Sequence, residues 1–285
     1  MDKPEPRYVL YHGNCWDGFG AAWAAWRALG DRAQYLPVLY GQDPPDLPSD
    51  AIVALVDFSY PRQTLLDLRD RVALLQVLDH HKTAEADLAG LDWCLFDMEK
   101  SGATLAWEWW HPHSEPPLLI KYVQDRDLWR FDLPGSREVS AWLSSYPRDF
   151  AVWTTLAQTL ESLLDEVRQE GGALLRYQAQ QVEVMCQAAR WAELGGYNVP
   201  VVNTSAFYSE VGDRLLTLHP DAPFSAYYMD RADGQRQWGL RSHGDFDVSD
   251  IAKLYGGGGH RNAAGFTVAA PPPLPRHSDP AWDSQ

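Results

Sequence analysis

Long apolar runs are missing from this chain of 285 residues. No window approaches the roughly 20 residues that cross a bilayer as a helix. The start, Met1-Asp2-Lys3-Pro4-Glu5-Pro6, has neither the charged nor the apolar region of a signal peptide, so the expected location is cytoplasmic. Cysteine is scarce, with three residues at 15, 94 and 186, and an odd, sparse set argues against a disulfide framework. Basic residues are short as well: 24 Lys and Arg against 39 Asp and Glu give a formal net charge of -15. Binding long duplex nucleic acid relies on neutralising many phosphates with Lys and Arg, so that function is disfavoured. A short phosphorylated substrate gripped by a metal ion and a few Arg stays compatible, because the ion supplies positive charge itself. No membrane partner is expected, no internal repeat is evident, and the oligomeric state is left open, a homodimer included.

What is present is an ordinary apolar content of 45% and a length that favours two domains. Three short apolar runs each stop at polar groups. Tyr8-Val9-Leu10-Tyr11 ends in His12-Gly13-Asn14-Cys15-Trp16-Asp17-Gly18. Ala51-Ile52-Val53-Ala54-Leu55-Val56 ends in Asp57, and Val72 to Leu78 ends in Asp79-His80-His81. Such runs read as buried strands, and strand-like runs alternating with helical ones (Gly18 to Leu29, Pro61 to Arg69, Ser101 to Trp110, Pro117 to Trp129) imply a mostly parallel α/β sheet. The carboxyl ends of parallel strands are where such folds place ligands. Read alone, Asp79-His80-His81 is also compatible with a hydrogen-bonded loop, and Asp125 with Asp127 with an acidic pair on a solvated helix face. Taken together, imidazole and carboxylate with little thiolate suit a hard or borderline divalent ion.

Helical pattern over residues 151–194 reads as a connector, broken at Gly195-Gly196. Residues 195–270 read as a smaller α/β lobe, with strands near Asn198 to Asn203, Phe224 to Met229, Gln237 to Arg241 and Gly265 to Val268, and a helix near Val248 to Leu254. The Pro-rich tail, 271–285, is expected to be unstructured. Residues 1–150 then form the first domain.

The set formed by the His12 to Asp17-Gly18 loop, Asp57, Asp79-His80-His81, Asp125 in Gln124-Asp125-Arg126-Asp127, and Gly256-Gly257-Gly258-Gly259-His260-Arg261-Asn262-Ala263-Ala264-Gly265 resembles the DHH phosphoesterase superfamily with its DHH-associated C-terminal domain. The resemblance spans most of residues 8 to 268 and implies a metal-dependent phosphoesterase acting through a metal-activated water. Asp57 would bridge two ions, with His12, Asp17, His80 and Asp125 completing the ligands. His81 would face the phosphate, and Asp79 would orient an imidazole. Gly257, Gly258, Gly259, His260, Asn262 and Arg241 would bind substrate. Manganese suits such ligands, with magnesium, cobalt or zinc as substitutes, at one or two ions per chain. Short oligonucleotides or linear dinucleotides are the expected substrates. The alternatives are a phosphatase or exopolyphosphatase acting on a small phosphorylated metabolite, and a catalytically silent nucleotide-binding relative.

One position departs from the family pattern: Cys15 stands where relatives carry Asp. Cys15, Asn14 and Asp127 are therefore further candidate ligands. Three outcomes are open: a thiolate ligand for a softer ion such as zinc or iron, recruitment of Asn14, or a weakened first site, the last being favoured.

Overall fold

The computed structural model describes residues 5–13 and 15–270. Asn14 and the 271–285 tail, both subjects of expectations above, lie outside the described residues.

Five parallel strands, β1 (Tyr8–His12), β2 (Gln34–Val38), β3 (Ile52–Val56), β4 (Leu74–Asp79) and β5 (Cys94–Phe96), form the first sheet in the order β2-β1-β3-β4-β5. Parallel pairing requires helical crossovers, which here cover both faces. Helix α1 (Trp16–Leu29) joins β1 to β2, and α2 (Arg62–Arg71) joins β3 to β4. After β4 come α3 (Lys82–Asp87), α4 (Gly102–Trp110), α5 (Leu118–Asp127), α6 (Ser136–Ser144), α7 (Phe150–Ser162) and the 23-residue α8 (Leu164–Cys186). On one face of the sheet Val9, Val56 and Leu78 pack under Trp23, Trp142 and Trp153, while Leu10, Leu55 and Leu75 meet Leu65 and Leu68 on the other. The alanines of α1 allow it to lie close against α4, with Ala21, Ala22, Ala24, Ala25, Ala103 and Ala106 fully buried.

The strand order reverses direction between β1 and β3, and the crevice at the carboxyl ends of those two strands is the ligand position of an open parallel sheet. His12 ends β1, Asp57 follows β3 and Asp79 ends β4. The α/β architecture and the parallel sheet agree with the sequence expectation.

The second lobe is a six-stranded sheet of β6 (Arg190–Leu194), β7 (Tyr197–Asn203), β8 (Ser225–Asp230), β9 (Gln235–Arg241), β10 (Gly258–His260) and β11 (Ala263–Ala269), ordered β10-β11-β9-β8-β7-β6. It is antiparallel except for the β7–β8 pair. Helix α9 (Tyr208–Leu218) crosses over between β7 and β8, and α10 (Val248–Lys253) precedes β10.

The structure draws the connector differently from the sequence pattern. Trp153, Leu156, Ala157 and Leu160 of α7 belong to the first lobe's core, and the pattern breaks at Leu163, leaving α8 as the link. Gly195 and Gly196, both at positive φ, are the turn between β6 and β7, so the second lobe begins near Arg190. A glycine pair stops a helix and closes a hairpin for the same reason, freedom at positive φ. At the other end of α8, a Cβ on Gly171 would lie 2.0 Å from the Glu138 carbonyl, so the α6–α8 crossing depends on that glycine.

The lobes meet across the crevice. Gly259 N donates to Thr83 Oγ1 (3.1 Å), Lys82 pairs with Asp247, and Arg126 Nη2 lies 2.5 Å from Glu210 Oε1.

Candidate functional site

Asp57 is the centre of the crevice. Its backbone adopts φ 55, a left-handed conformation uncommon for a side-chain-bearing residue, held by its N–H bond to the Leu78 carbonyl (2.9 Å). That turn aims the carboxylate between two groups of residues. On one side Oδ2 lies 3.0 Å from Cys15 Sγ and 3.8 Å from His12 Nδ1, with 3.3 Å between Cys15 Sγ and His12 Nδ1. On the other side Oδ1 lies 3.1 Å from His80 Nε2, which is itself 3.5 Å from both Asp17 Oδ2 and Asp127 Oδ2.

The local sequence explains each placement. Cys15 is the N-cap of α1: its sulfur accepts from Gly18 N (3.1 Å), the role a small side chain with an acceptor atom plays at a helix start. Asp17, in the first turn of α1, accepts from Gly102 N (2.6 Å) and Ala103 N (3.0 Å), the free donors at the start of α4. Gly102 is required there, because a Cβ would sit 2.4 Å from Asp57 Cβ and 2.9 Å from Asp17 Oδ2. Asp79 is fully buried and organises the turn after β4. Its Oδ1 takes His80 N (2.7 Å) and His81 Nδ1 (2.7 Å), and its Oδ2 takes the Ser59 hydroxyl (2.6 Å). With Nδ1 committed to Asp79, His81 presents Nε2 outward.

Electrostatics follow from crowding. Burial and then the nearby Asp17 raise the Asp57 carboxyl to about 7. Close packing and Asp17 raise Asp127 to about 6. Burial alone would depress His80, but the surrounding Asp57, Asp127 and Asp17 carboxylates lift it well above its ordinary value. Burial and the His81 imidazole lower His12 to about 4. Burial, with Asp57, Asp17 and Asp127 added, pushes the Cys15 thiol well up. Among the described residues, no Lys or Arg pairs with Asp17 or Asp57. Buried Asp57 Oδ1 and His80 Nδ1 also lack hydrogen bonds of good geometry there. A compact set of carboxylates and imidazoles with an orphaned buried oxygen fits a divalent cation.

The structure brings together His12, Cys15, Asp17, Asp57, His80 and Asp127. It takes Asp125 elsewhere. Positions i and i+2 lie about 200° apart around a helix, so the two acids of α5 face different ways. The Asp125 carboxylate accepts from Asp132 N (2.9 Å) and Leu133 N (3.1 Å), and its carbonyl from Arg130 N (2.9 Å) and Phe131 N (3.3 Å). It anchors a loop in which Trp129 and Phe131 both take φ 55, and its place near His80 is filled by Asp127.

Above this cluster lies the glycine-rich loop of the second lobe. The His260 ring stacks on His81 (4.8 Å, 20°) and lies 4.8 Å from the His80 ring. Burial, His81 and His80 lower its pKa to about 2, so it enters neutral. The glycine N–H groups are mostly engaged within the fold: Gly256 N donates to Lys253 O, Gly257 N to Ala252 O, and Gly259 N to Thr83 Oγ1. The run therefore allows close approach to Thr83 rather than forming an open row of donors. The Asn262 amide is likewise tied to Ser242 Oγ (3.0 Å) and the Gly244 carbonyl (3.1 Å), away from the crevice. Arg241 is held by Ser209 Oγ (2.8 Å) beside the Tyr227 ring (5.5 Å).

Sequence reasoning missed Gly102, Ser59, Thr83 and Tyr40, whose ring lies 5.3 Å from that of His12. Only Gly102 carried a signal, a glycine between a cap and a helix. Among the described residues no helix is long and apolar enough to cross a membrane.

No family model matches the chain. The uncharacterized protein R106 of Acanthamoeba polyphaga mimivirus is 31% identical over 296 residues, covering 94% of this chain and 69% of that protein. Oligoribonuclease NrnB of Bacillus subtilis (strain 168) is 38% identical over 71 residues, 25% of this chain and 17% of that protein. Among solved structures, an exopolyphosphatase-related protein from Bacteroides fragilis shares the fold, with a TM-score of 0.52 at 13% identity over 91% of this chain and 85% of the other. The chain is thus a relative of that mimivirus protein by sequence and shares the fold of the exopolyphosphatase-related protein, with Asp57 and Asp79-His80-His81 at its strand ends and the glycine-rich loop over them.

Proposed function

We propose that this chain is a divalent-cation-dependent hydrolase of short phosphodiesters, with nanoRNA or linear dinucleotides as its substrates. The observation that carries the reading is the convergence on Asp57 of His12, Asp17, His80 and Asp127 from β1, α1, the turn after β4 and α5. These side chains would hold the cation, manganese or a substitute such as magnesium, cobalt or zinc. When bound, it supplies an activated water and positive charge at the phosphoryl group.

The remaining groups bind and orient. Asp79 fixes His81 through Nδ1 and raises its pKa against the opposing effect of burial, so His81 Nε2 carries a proton toward the phosphate or leaving oxygen. His260 closes over the same space, and Arg241, braced by Ser209 and Tyr227, offers a planar donor for a second phosphate or a base. Crevice closure by the second lobe limits the site to short substrates, in keeping with the formal net charge of -15. Three free thiols suit a reducing cytoplasm.

The test is turnover of a dinucleotide, a nucleoside bisphosphate and polyphosphate, side by side with manganese. The dinucleotide should be hydrolysed fastest, and Asp57→Asn should abolish it. Preference for the bisphosphate or polyphosphate would replace this substrate assignment. No turnover of any phosphoester would leave a nucleotide-binding protein.

A further inference from the structure

Donor types and spacing on the two sides of Asp57 differ, and the difference concerns which cation each side accepts. We infer that Cys15 is a thiolate ligand, so that His12, Cys15 and Asp57 form a site for a zinc-like, thiophilic divalent ion beside a harder site at Asp17, His80 and Asp127. The inference rests on the cation-dependent reading above.

The edges of the donor triangle are 3.3 Å (Sγ to Nδ1), 3.0 Å (Sγ to Oδ2) and 3.8 Å (Nδ1 to Oδ2). Tetrahedral zinc with sulfur at about 2.3 Å and nitrogen or oxygen at about 2.0–2.2 Å separates its ligand atoms by about 3.4–3.6 Å. Three vertices of such a tetrahedron are therefore nearly in place, and the fourth is left for water or substrate. The side chains are held in advance: Cys15 by Gly18 N, Asp57 by the turn after β3, and His12 between the Tyr40 and Phe58 rings. The Asp57 carboxylate shared by the triangle is 1% exposed, and among the described residues no Lys or Arg balances it. Sulfur, nitrogen and oxygen together favour zinc or cobalt over manganese, which prefers oxygen. On binding, the Sγ–H bond breaks, the proton passes to solvent, and the sulfur lone pair forms the metal bond.

The experiment uses the full chain loaded separately with cobalt, zinc and manganese. Wild type should show a thiolate-to-cobalt charge-transfer absorption and a sulfur neighbour at about 2.3 Å from zinc in X-ray absorption. Cys15→Ser, which keeps an N-cap acceptor for Gly18 N, should lose both while remaining folded by circular dichroism. Cys15→Asp should lower the ratio of zinc to manganese affinity by about tenfold or more. Asp127→Asn should retain the cobalt band. A cobalt spectrum unchanged by Cys15→Ser, or zinc surrounded by nitrogen and oxygen alone, overturns the thiolate assignment and leaves the cation-dependent function standing. Absence of any cation binding to wild type overturns both.

Discussion

On the two sides of Asp57 the same problem, gathering ligand atoms at a strand switch point, is met with different chemistry. The His12 side has one imidazole and one thiol, anchored by a helix cap and two aromatic rings. The His80 side has two further carboxylates around one imidazole, and Asp17 is steadied by the start of α4. The first side carries little charge without a cation; the second concentrates negative charge that only imidazole offsets. Asp57 is the one residue both sides share, so it sets the distance between them.

The largest effect should come from breaking that sharing. Asp57→Asn should weaken cation binding on both sides by more than the about 10–100-fold that losing an outer-shell partner costs. Titration calorimetry with manganese and zinc checks this, and loss on one side alone would mean the halves are independent. Gly102→Ala should act chiefly on the His80 side, because the new methyl would press on the Asp57 and Asp17 carboxylates. Manganese affinity should fall about 10–100-fold, and overpacking should cost about 1–3 kcal/mol of stability.

Asp125 and Asp127 offer a sharper contrast. Asp125→Asn should destabilise the fold by about 1.5–3 kcal/mol through weakened bonds to Asp132 N and Leu133 N, at about 2–4 °C of melting temperature per kcal/mol. Asp127→Asn should leave melting unchanged or raise it while manganese binding weakens. The reverse pattern would restore Asp125 to the site.

Titration gives a further test. Asp57 at about 7 and Asp127 at about 6 keep protons that the unfolded chain, near 3.8, has released. Their contribution to cation-free stability is thus fully present below about pH 4 and lost as pH rises through 6 to 7. A cation replaces those protons, so the rise in melting temperature on adding manganese should grow between pH 6 and 8; a flat profile would contradict these protonation states. The smallest effect is expected at the lobe contact. Arg126→Ala should raise KM for a dinucleotide by a factor of roughly five at most, since this partly exposed pair contributes less than about 1 kcal/mol.

Much of the first lobe was legible because buried parallel strands leave continuous apolar runs that end where the chemistry begins, as at His12, Asp57 and Asp79. The choice between Asp125 and Asp127 was not legible: Asp125 is the buried one of the pair and Asp127 is exposed at the end of α5, so a buried stripe points to Asp125, as motif order does. Helix α9 had a readable pattern in Val211, Leu215 and Leu216. Other features were not readable. The engagement of Asn262 by Ser242 and of Gly259 by Thr83 depends on chain segments 20 and 176 residues away, and no local pattern reports such pairings.

Helix α8 has a mechanical consequence. Val167 and Gly171 are buried with the first lobe, Val182 and Cys186 with the second, and the stretch between them is bare of buried residues. A rod about 35 Å long, clamped at each end in a different body, cannot swivel at its sockets without opening a core. Any widening of the cleft to admit substrate must therefore be absorbed as flexure in its free span, which begins at Gly172 and ends before Val182.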